Sequence, residues 1–467
     1  MNYHRYFNRA EKPVETCIAG CGAFGRSYLR QAQATPLLSA RIAIDLSGLE
    51  AAEAWREIGI DPREIAVCES TAEIRTAWNA GRFIAAGDAS LVGDLPIDVF
   101  IEATGHPEAG ARHALMAVER GWHLALVSKE VDVVVGPGLS ALARQNRCVV
   151  TPIDGDQPSL LMGLVTWAEV LGFKIVAAGK SSEYDFVFDD RSGMLSSNGR
   201  DAHVPELANL WSMESQGVLD VLSERSRVVS AFAQRTVPDL CELLIVANAV
   251  DLVPDRPDLH APILHISEAP TAFSTVTDGG LLGGERRIDV FNCLRKPDEL
   301  SFAGGVFVVV RCEDPTSWEM LRQKGHIVSQ NGTTALLYIP RHLLGLEAAI
   351  SILEAGVHGM SSGAECPKPR FDLAIRAEAD LQADTLLTAT GHHHSIADTS
   401  GIAVPGSPLG PRRPVPYYLA ANRRLLKPVA KGELIRCGDI EISEDSHLAK
   451  LRCKQDQMFF GQEAFAS

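Results

Sequence analysis

A glycine-rich turn near the N-terminus has the residue types and the spacing that bind a dinucleotide. The segment GCGAFG, residues 20–25, directly follows an apolar run that predicts a strand, and a predicted helix begins within it. In such a turn the first glycine permits a tight bend, the second lets the backbone approach a pyrophosphate, and the third lets helix and strand pack closely. The alternative is an incidental glycine-rich turn. The candidate cofactor-binding residues here are Gly20, Gly22, Ala23, Phe24 and Gly25.

Residues at the ends of further predicted strands could complete this cofactor site. Asp45 ends the second predicted strand, where a carboxylate can accept hydrogen bonds from ribose hydroxyls. A carboxylate would repel the 2′-phosphate of NADP, so Asp45 favours NAD, whereas Arg41 and Arg56 leave NADP open. Alternatively, Asp45 is a solvated strand end. Thr104 is also a candidate helix N-cap, a role that is compatible with a cofactor contact. The other candidate cofactor contacts are Ala103, Thr104, Gly105 and Ser128.

Lysine and carboxylate side chains near the same strand ends are the first candidates for chemistry. Lys129 could hold the carboxamide of the cofactor or the substrate, or could pair with a surface carboxylate. Asp154, Asp156, Gln157 and Ser159 form a turn before a predicted helix, and such a turn can hold hydroxyl groups or a divalent cation. The alternative is that Asp156 or Ser159 only caps the helix.

A second lysine is the first choice for a general acid or base. Lys180 follows small residues at the end of a predicted strand, where partial desolvation can lower the pKa of a lysine enough for proton exchange. The alternative is a solvated lysine. Glu242 and Asn248, on one predicted helix, are candidate substrate contacts or ordinary helix surface. Lys180, Lys129 and Asp156 are the three predicted catalytic residues.

Three adjacent histidines, His392, His393 and His394, do not predict a metal site. Three consecutive side chains cannot all converge on one ion, so we interpret them as loop residues. A metal ligand set is therefore not predicted, although a divalent metal at the Asp154 turn is left open.

The elements that must position these residues are those of a multidomain α/β protein. Between residues 14 and 150, short apolar runs alternate with longer amphipathic stretches, which is typical of a doubly wound parallel sheet of the Rossmann type. Residues 1–152 are predicted to form this domain, and residues 153–367 an α+β substrate domain. Residues 368–467 are predicted to form a small, mostly β module with a terminal helix.

Composition excludes several classes of function. The net charge of −15 and the lack of a basic stripe argue against nucleic-acid binding. No apolar run reaches the length of a membrane span, and the first residues do not form a signal peptide. The ten cysteines include no C-x-x-C pair, which favours buried thiols in a reducing compartment. We expect a cytoplasmic protein with a small-molecule substrate.

Several segments together resemble the homoserine dehydrogenase-like oxidoreductases. They are GCGAFG, IEATG at 101–105, VSKEVD at 127–132 and AAGK at 177–180. The chain is more similar still to a branch of 1-deoxy-D-xylulose 5-phosphate reductoisomerase-like proteins that adds a C-terminal SAF-type module. This likeness includes GDQPS at 155–159, CELLIVANA at 241–249 and LVPD at 252–255, and it runs from about residue 14 to 451.

The resemblance implies roles for single residues. In homoserine dehydrogenases the lysine matched by Lys129 lies beside the nicotinamide and the substrate, and analogy with them implies a homo-oligomer. The reductoisomerase-like branch is expected to carry glutamate where this chain has Gln157. One charge is therefore missing from a site that would hold a metal, which argues against the reductoisomerase reaction itself.

Three functional hypotheses remain open from the sequence. The first is an NAD(P)-dependent dehydrogenase or oxidoisomerase acting on a small polyol, hydroxy acid or sugar phosphate, with substrate between the first two domains. The second is a reductoisomerase of isoprenoid precursor synthesis, which predicts NADPH preference and a divalent metal. The third is a cofactor-binding sensor or scaffold, whose function would not need Lys180 as a proton-transfer group.

Overall fold

The computed structural model of this chain describes residues 1–213, 217–391 and 394–461, which form two compact units. The first unit contains Met1–Ser159, Leu343–Thr399 and the described residues from Pro405 on, and the second contains Leu160–His342 and Ser400–Val404. The three-part division with boundaries at 152 and 367 stays a prediction. None of the helices in the described ranges is long and apolar enough to cross a bilayer.

A seven-stranded parallel sheet forms the centre of the first unit. Its strands are β1 (Val14–Ala19), β2 (Leu38–Ile44), β3 (Ile65–Cys68), β4 (Phe83–Ala86), β5 (Val99–Glu102), β6 (His123–Leu126) and β7 (Val150–Pro152). Helix α1 (Tyr3–Tyr6) precedes β1, and the helices between the strands are α2 (Ala23–Ala32), α3 (Gly48–Glu57), α4 (Thr71–Asn79), α5 (Pro107–Glu119) and α6 (Lys129–Gln145). The spatial order of the strands is β3-β4-β2-β1-β5-β6-β7.

This sheet confirms the predicted Rossmann-type fold. Strands β1 and β5 are almost entirely buried, as expected for parallel strands covered by helices on both faces. Ser47 and Ser70 accept hydrogen bonds from backbone N–H groups in the first turns of α3 and α4, which fixes where these helices begin. The sequence pattern predicts strands at 15–19, 40–45, 99–102, 123–126 and 149–151, which agree with β1, β2, β5, β6 and β7 to within about two residues. Strands β3 and β4 and helix α6 were not predicted.

The second unit is built on a mixed sheet. Its strands are β8 (Ile175–Ser181), β9 (Phe186–Asp189), β10 (Met194–Ser197), β11 (Arg200–His203), β12 (Val253–Pro254), β13 (Ile263–Leu264), β14 (Arg287–Arg295), β15 (Val306–Arg311) and β16 (Thr334–Ile339). The helices that begin between residues 157 and 342 are α7 (Gln157–Val170), α8 (Val218–Val228), α9 (Val237–Val250), α10 (Ala269–Ala272) and α11 (Pro315–Gln323). The main path of the sheet is β11-β10-β9-β14-β8-β15-β16.

The centre of the second unit is strongly apolar. Strand β8 is buried at every position, and it pairs in parallel with β14 and antiparallel with β15. Helix α9 is buried from Val237 to Asn248 and packs on both β8 and β14. A polar side chain on either element is therefore removed from water and must find a polar partner.

The remaining elements follow residue 343. They are α12 (Ala349–Leu353), β17 (Phe371–Ala377), β18 (Ala389–Thr390), β19 (Ser395–Ile396), β20 (Thr399–Pro405), α13 (Tyr417–Ala420) and α14 (His447–Phe460). The predicted terminal helix is confirmed. The sequence pattern also predicts one helix over residues 345–355 and a loop over 402–416. Both differ in the structure, because residues 344–358 form a 3-10 turn, α12 and a π turn, and β20 continues to Pro405.

Helix α14 is held on α6 by buried polar contacts. The guanidinium of Arg452, with no exposed surface, donates to the carboxylate of Asp372 at 2.7 and 2.8 Å and to that of Asp456 at 2.7 Å. The amide oxygen of Gln455 accepts a hydrogen bond from the backbone N–H of Gly138 in α6 at 2.8 Å. The C-terminal helix is thus part of the same compact unit as the seven-stranded sheet.

Candidate functional site

The carboxyl ends of the parallel strands bring many of the predicted site residues to one edge of the first unit's sheet. The glycine turn follows β1, Asp45 follows β2, Gly105 follows β5, Ser128 follows β6 and Asp154 follows β7. Strand β1 lies between β2 and β5. The chain continues from β1 to β2, β3 and β4 on one side of it, and strands β5, β6 and β7 lie on its other side. Ligands of open α/β sheets bind at such a switch point.

Two glycines of the turn are required by backbone contacts. Gly20 has a φ of +98°, and a Cβ on it would overlap the carbonyl group of Ala103 after β5. A Cβ on Gly25 would overlap the carbonyl oxygen of Gly20. The turn, the start of α2 and the end of β5 are therefore in direct backbone contact, which only glycine allows.

The middle glycine faces open space instead. A Cβ on Gly22 would have no atom of the described residues within 4 Å. Gly22 is the N-cap of α2 and provides no side chain for the first N–H groups of the helix, and the first turn of α2 carries no acidic residue. Helix N-terminal N–H groups directed at open space suit an anion. The pyrophosphate of a dinucleotide therefore fits this turn.

Asp45 holds the turn in place. Its Oδ2 accepts a hydrogen bond from the backbone N–H of Cys21 at 2.8 Å, and its Oδ1 accepts one from the N–H of Leu46 at 2.8 Å. Each carboxylate oxygen has a second lone pair, so acceptor capacity remains for ribose hydroxyls. Burial, followed by the charge of Asp45, raises the pKa of Cys21 to about 12, so its thiol adds no negative charge to the turn.

Arg41 and Arg56, the two arginines considered as partners of an NADP 2′-phosphate, each contact another side chain. The guanidinium of Arg41 lies 4.1 Å from the ring centroid of Trp78 in a cation–π contact. Arg56 pairs with Glu53, one turn earlier in α3, at 2.8 Å. These contacts weaken the argument for a 2′-phosphate site at the end of β2.

The ends of β5 and β6 are connected by hydrogen bonds. The Oε1 atom of the buried Glu102 accepts hydrogen bonds from the N–H and the hydroxyl of Thr104, at 3.1 and 2.5 Å. The N–H of Gly105 donates to the Oγ of Ser128 at 2.8 Å. Thr104 is not the cap of α5, because His106 occupies that position. The predicted cofactor contacts after β5 and β6 thus lie together at one place.

A buried glutamate beside Lys129 was missed from the sequence. Glu130 is 3% exposed, and burial raises its pKa to about 7, with the positive charge of Lys129 opposing the shift and the negative charges of Glu102 and Asp156 increasing it. These electrostatic interactions place Asp156, one of the predicted catalytic residues, near Glu130, which directly follows Lys129. The signal available in the sequence was a carboxylate directly after Lys129 at the start of a helix.

Replacing Glu130 with glutamine should make the folded protein more stable at high pH. Ionisation of the Glu130 carboxyl group costs free energy in the folded protein but not in the unfolded chain. This cost is absent below about pH 4.5, where the group is protonated in both the folded and the unfolded state, and it grows until about pH 7. At pH 8, the free energy of unfolding of Glu130→Gln should exceed that of the wild type by up to about 3 kcal/mol, with little difference at pH 4.5. Urea unfolding at several pH values measures this difference.

The matched control is Glu119→Gln, the same change at an exposed position of α5. This control should leave the pH dependence of the free energy of unfolding the same as in the wild type. Asp132, whose pKa burial also raises to about 7, titrates in all three proteins and cancels in the comparison. Parallel curves for Glu130→Gln and wild type would contradict the prediction.

Hydrogen bonds within the turn after β7, and one to Ser351, hold its polar side chains in place. The hydroxyl of Ser159 donates to Asp154 Oδ1 at 2.6 Å, and the N–H of Asp154 donates to the hydroxyl of Ser351 at 2.9 Å. Burial raises the pKa of Asp154 above its ordinary value, and the charge of Glu347 adds to this shift. Asp156 Oδ1 accepts the N–H of Gln157, the first residue of α7, at 2.9 Å. Asp154, Gln157 and Ser159 remain candidate substrate contacts.

The arrangement of the turn after β7 does not support a divalent metal site there. Within residues 1–213, 217–391 and 394–461, no group of three or more His, Cys, Asp and Glu side chains is arranged to hold a metal ion. His392 and His393 lie outside the described residues. Asp154 instead uses one carboxylate oxygen to accept the Ser159 hydroxyl.

Lys180 lies in the second unit, at the centre of a buried charge cluster. Its ammonium group is 2.8 Å from Asp239 Oδ1 and also contacts Glu242 Oε2, and the side chains of all three residues are 3% exposed. Asp239 Oδ2 accepts hydrogen bonds from the hydroxyls of Ser182 at 2.8 Å and Thr236 at 2.7 Å. The alternative of a solvated lysine is therefore wrong.

The surroundings of Lys180 differ from the prediction in two ways. Strand β8 continues to Ser181, so Lys180 lies within the strand rather than at its end. Glu242 and Asn248 are buried in α9 rather than on a helix surface, with Asn248 about 9 Å further along the helix axis. Asp239 was missed, although its spacing of three residues from Glu242 places both carboxylates on one helix face.

His394 lies in a turn, as the sequence predicts, and it also lies beside Gly105 after β5. His394 follows Gly391 in the turn between β18 and β19, and its Nε2 atom lies 3.5 Å from the position that a Cβ on Gly105 would take. Its ring is 6.5 Å from that of His106, at an interplanar angle of 83°. His394 therefore lies at the carboxyl edge of the seven-stranded sheet.

Comparison with known families gives one match. Residues 155–348 match the family described as the catalytic domain of the oxidoreductase DRL. This part of the chain, which contains Lys180, Asp239 and Glu242, is thus similar to an oxidoreductase catalytic domain. No curated protein matches the sequence.

Solved structures match part of the chain. The 1-deoxy-D-xylulose 5-phosphate reductoisomerase from Zymomonas mobilis in complex with NADPH is 16% identical, with 50% of this chain and 58% of that chain covered and a TM-score of 0.31. Levoglucosan dehydrogenase with NADH and levoglucosan is 15% identical, with 38% and 44% covered and a TM-score of 0.25. The matched region spans less than two thirds of the length of either structure.

Proposed function

We propose that the protein is an NAD(P)-dependent oxidoreductase that moves a hydride to or from a small polar substrate. The observation that carries this proposal is the turn at residues 20–25, whose outer glycines are fixed by backbone contacts while Gly22 faces open space at the start of α2. The match of residues 155–348 to an oxidoreductase catalytic domain supports it. A sensor or scaffold would not need such a domain.

NAD is the favoured cofactor. Asp45 directly follows β2 and contacts the glycine turn, and a carboxylate at this position accepts ribose hydroxyls but repels a 2′-phosphate, which supports NAD. Arg41 and Arg56 are already engaged with Trp78 and Glu53. Bound nicotinamide would supply or accept the hydride, while the protein's own groups hold the cofactor and handle the proton.

The buried Lys180 is proposed as the group that transfers the proton to or from the substrate. Lys180 carries its proton between Asp239 and Glu242, and such a group can exchange a proton with a substrate oxygen as the hydride moves. Lys129 is proposed to hold the substrate or the cofactor carboxamide. A polyol, hydroxy acid or sugar phosphate offers the hydroxyl or carbonyl oxygen that this chemistry needs, whether or not an isomerisation accompanies it.

Gly22→Ala tests the cofactor site. The added Cβ occupies the space that a pyrophosphate needs, so the affinity for NAD(H) should fall about tenfold or more, which corresponds to ~1.4 kcal/mol. The melting temperature should stay the same or rise slightly, because the backbone of Gly22 is extended and no described atom lies within 4 Å of the new Cβ. Calorimetric titration with NAD⁺, NADH, NADP⁺ and NADPH measures the affinities.

The control is Gly163→Ala in α7, another position where an added Cβ has no described atom within 4 Å. It should bind the cofactor like the wild type. If the wild type binds none of the four dinucleotides, the proposed function is wrong. If Gly22→Ala binds as tightly as the wild type, the pyrophosphate does not lie at this turn.

A further inference from the structure

We infer that the hairpin β18–β19 contributes His394 to the dinucleotide site, as a residue that contacts the nicotinamide half of the cofactor. This inference rests on the proposed function, because it takes the turn at residues 20–25 as the pyrophosphate site. The local sequence pattern assigns these histidines no role.

The position of His394 follows from its contact with the end of β5. Its Nε2 atom is 3.5 Å from the point where a Cβ on Gly105 would be, so the imidazole lies against the exposed side of that glycine. The N–H of Gly105 is held by the hydroxyl of Ser128, the residue before Lys129. His394 therefore belongs to the same cluster as the predicted cofactor contacts after β5 and β6.

The order of the strands decides which half of a dinucleotide would meet His394. The pyrophosphate turn follows β1, and Asp45, the candidate ribose acceptor on the adenosine side, follows β2. Strand β5 lies on the other side of β1. A dinucleotide that crosses the switch point with its adenosine at β2 must place its nicotinamide ribose toward β5. Gly105 and His394 are on that side.

The hairpin that carries His394 has a fixed base. The N–H of Ile396 donates to the hydroxyl of the buried Tyr417 at 2.9 Å, and the N–H of Ala389 donates to the side-chain oxygen of Asn422 at 3.0 Å. Tyr417 begins α13, which packs on α6, the helix that starts directly after Ser128. The histidine is thus held relative to the sheet edge through packed elements of one compact unit.

The backbone of His394 is also unusual. Its φ is +48°, a left-handed conformation that is uncommon for residues other than glycine and that is found repeatedly at ligand-binding sites. An imidazole can donate or accept one hydrogen bond at Nε2, which matches the hydroxyls of the nicotinamide ribose. His394 can therefore bind this part of the cofactor without a metal ion.

The test compares a whole cofactor with its adenosine half. NADH and ADP are titrated into wild type, His394→Ala and His394→Gln, where the glutamine amide can replace the imidazole Nε2. His394→Ala should weaken NADH binding about five- to tenfold, as expected for the loss of one hydrogen bond, and should leave ADP binding unchanged. His394→Gln should recover most of the NADH affinity. If the wild type binds only NADPH, then NADPH and 2′,5′-ADP replace these two ligands.

The matched control is His447→Ala, the same change at an exposed residue at the start of α14. Should His394→Ala fail to fold, His394→Leu fills the same space without a hydrogen-bonding atom and replaces it. Equal loss of NADH and ADP affinity, or no loss of either, overturns the role of His394 while the proposed function stands. A wild type that binds no dinucleotide overturns both.

Discussion

Lys180→Met should lower the free energy of unfolding by about 3–5 kcal/mol, a large share of the stability of a folded unit. The lysine is 2% exposed and lies between Asp239 and Glu242. Methionine fills a similar volume but leaves two buried carboxylates without their cation, and uncompensated buried charge is strongly destabilising. Urea unfolding followed by circular dichroism measures the change.

The control for this variant is Lys174→Met, one residue before β8, where the lysine is 64% exposed and pairs with an exposed glutamate. Its effect on stability should be close to zero, because exposed ion pairs contribute little. Adding Glu242→Gln to Lys180→Met removes one of the orphaned charges and should restore part of the loss. If Lys180→Met is no less stable than Lys174→Met, the cluster does not stabilise the fold, and its role is confined to chemistry.

Gly20→Ala should destabilise the protein by about 3 kcal/mol and abolish measurable dinucleotide binding. Two costs combine at this position. The φ of +98° is unfavourable for alanine, and the new methyl group would overlap the backbone carbonyl of Ala103, which cannot move without displacing the end of β5. Thermal unfolding and calorimetric titration with NADH, carried out on the same preparation, measure the two effects.

Gly121→Ala separates these two costs. Gly121 also has a positive φ, +73°, but the nearest atom to an added Cβ is the carbonyl oxygen of Asn146 at 3.6 Å, an ordinary contact. This variant should lose only about 1–2 kcal/mol and should bind NADH normally. Equal destabilisation of the two variants would mean that the contact between the turn and β5 is not tight.

The sequence predicted those parts of the site that depend on local pattern. An apolar run followed by GCGAFG specifies a strand, a turn and a helix within a dozen residues, so the turn and its neighbours after β2, β5 and β6 could be assigned. Strands β3 and β4 were missed, although the predicted strands β5 and β6 are equally short. The sequences of β3 and β4, IAVC and FIAA, include three alanines among eight residues, and alanine does not favour strands.

The partners of the candidate residues could not be predicted, because they come from distant parts of the chain. Lys180 was identified, but Asp239 lies in a helix that packs on β8 only in the folded unit. His394 is a loop residue by every local criterion, and its contact with Gly105 exists only because α13 and α14 pack on α6. Residues separated in sequence meet through tertiary packing, which periodicity does not encode.

The division of the first unit between the two ends of the sequence also affects how the protein is synthesised. The strands and helices up to Ser159 leave the ribosome before almost all of the second unit, whereas α14 leaves it after all of the second unit. Until then, the backbone N–H of Gly138 lacks the oxygen of Gln455, and the surface of α6 that α14 covers faces water. Domains that are continuous in sequence can fold as they emerge. Strands β1 to β7 can therefore pair once Pro152 has emerged, but the surface of α6 that α14 covers stays uncovered until α14 has also been synthesised.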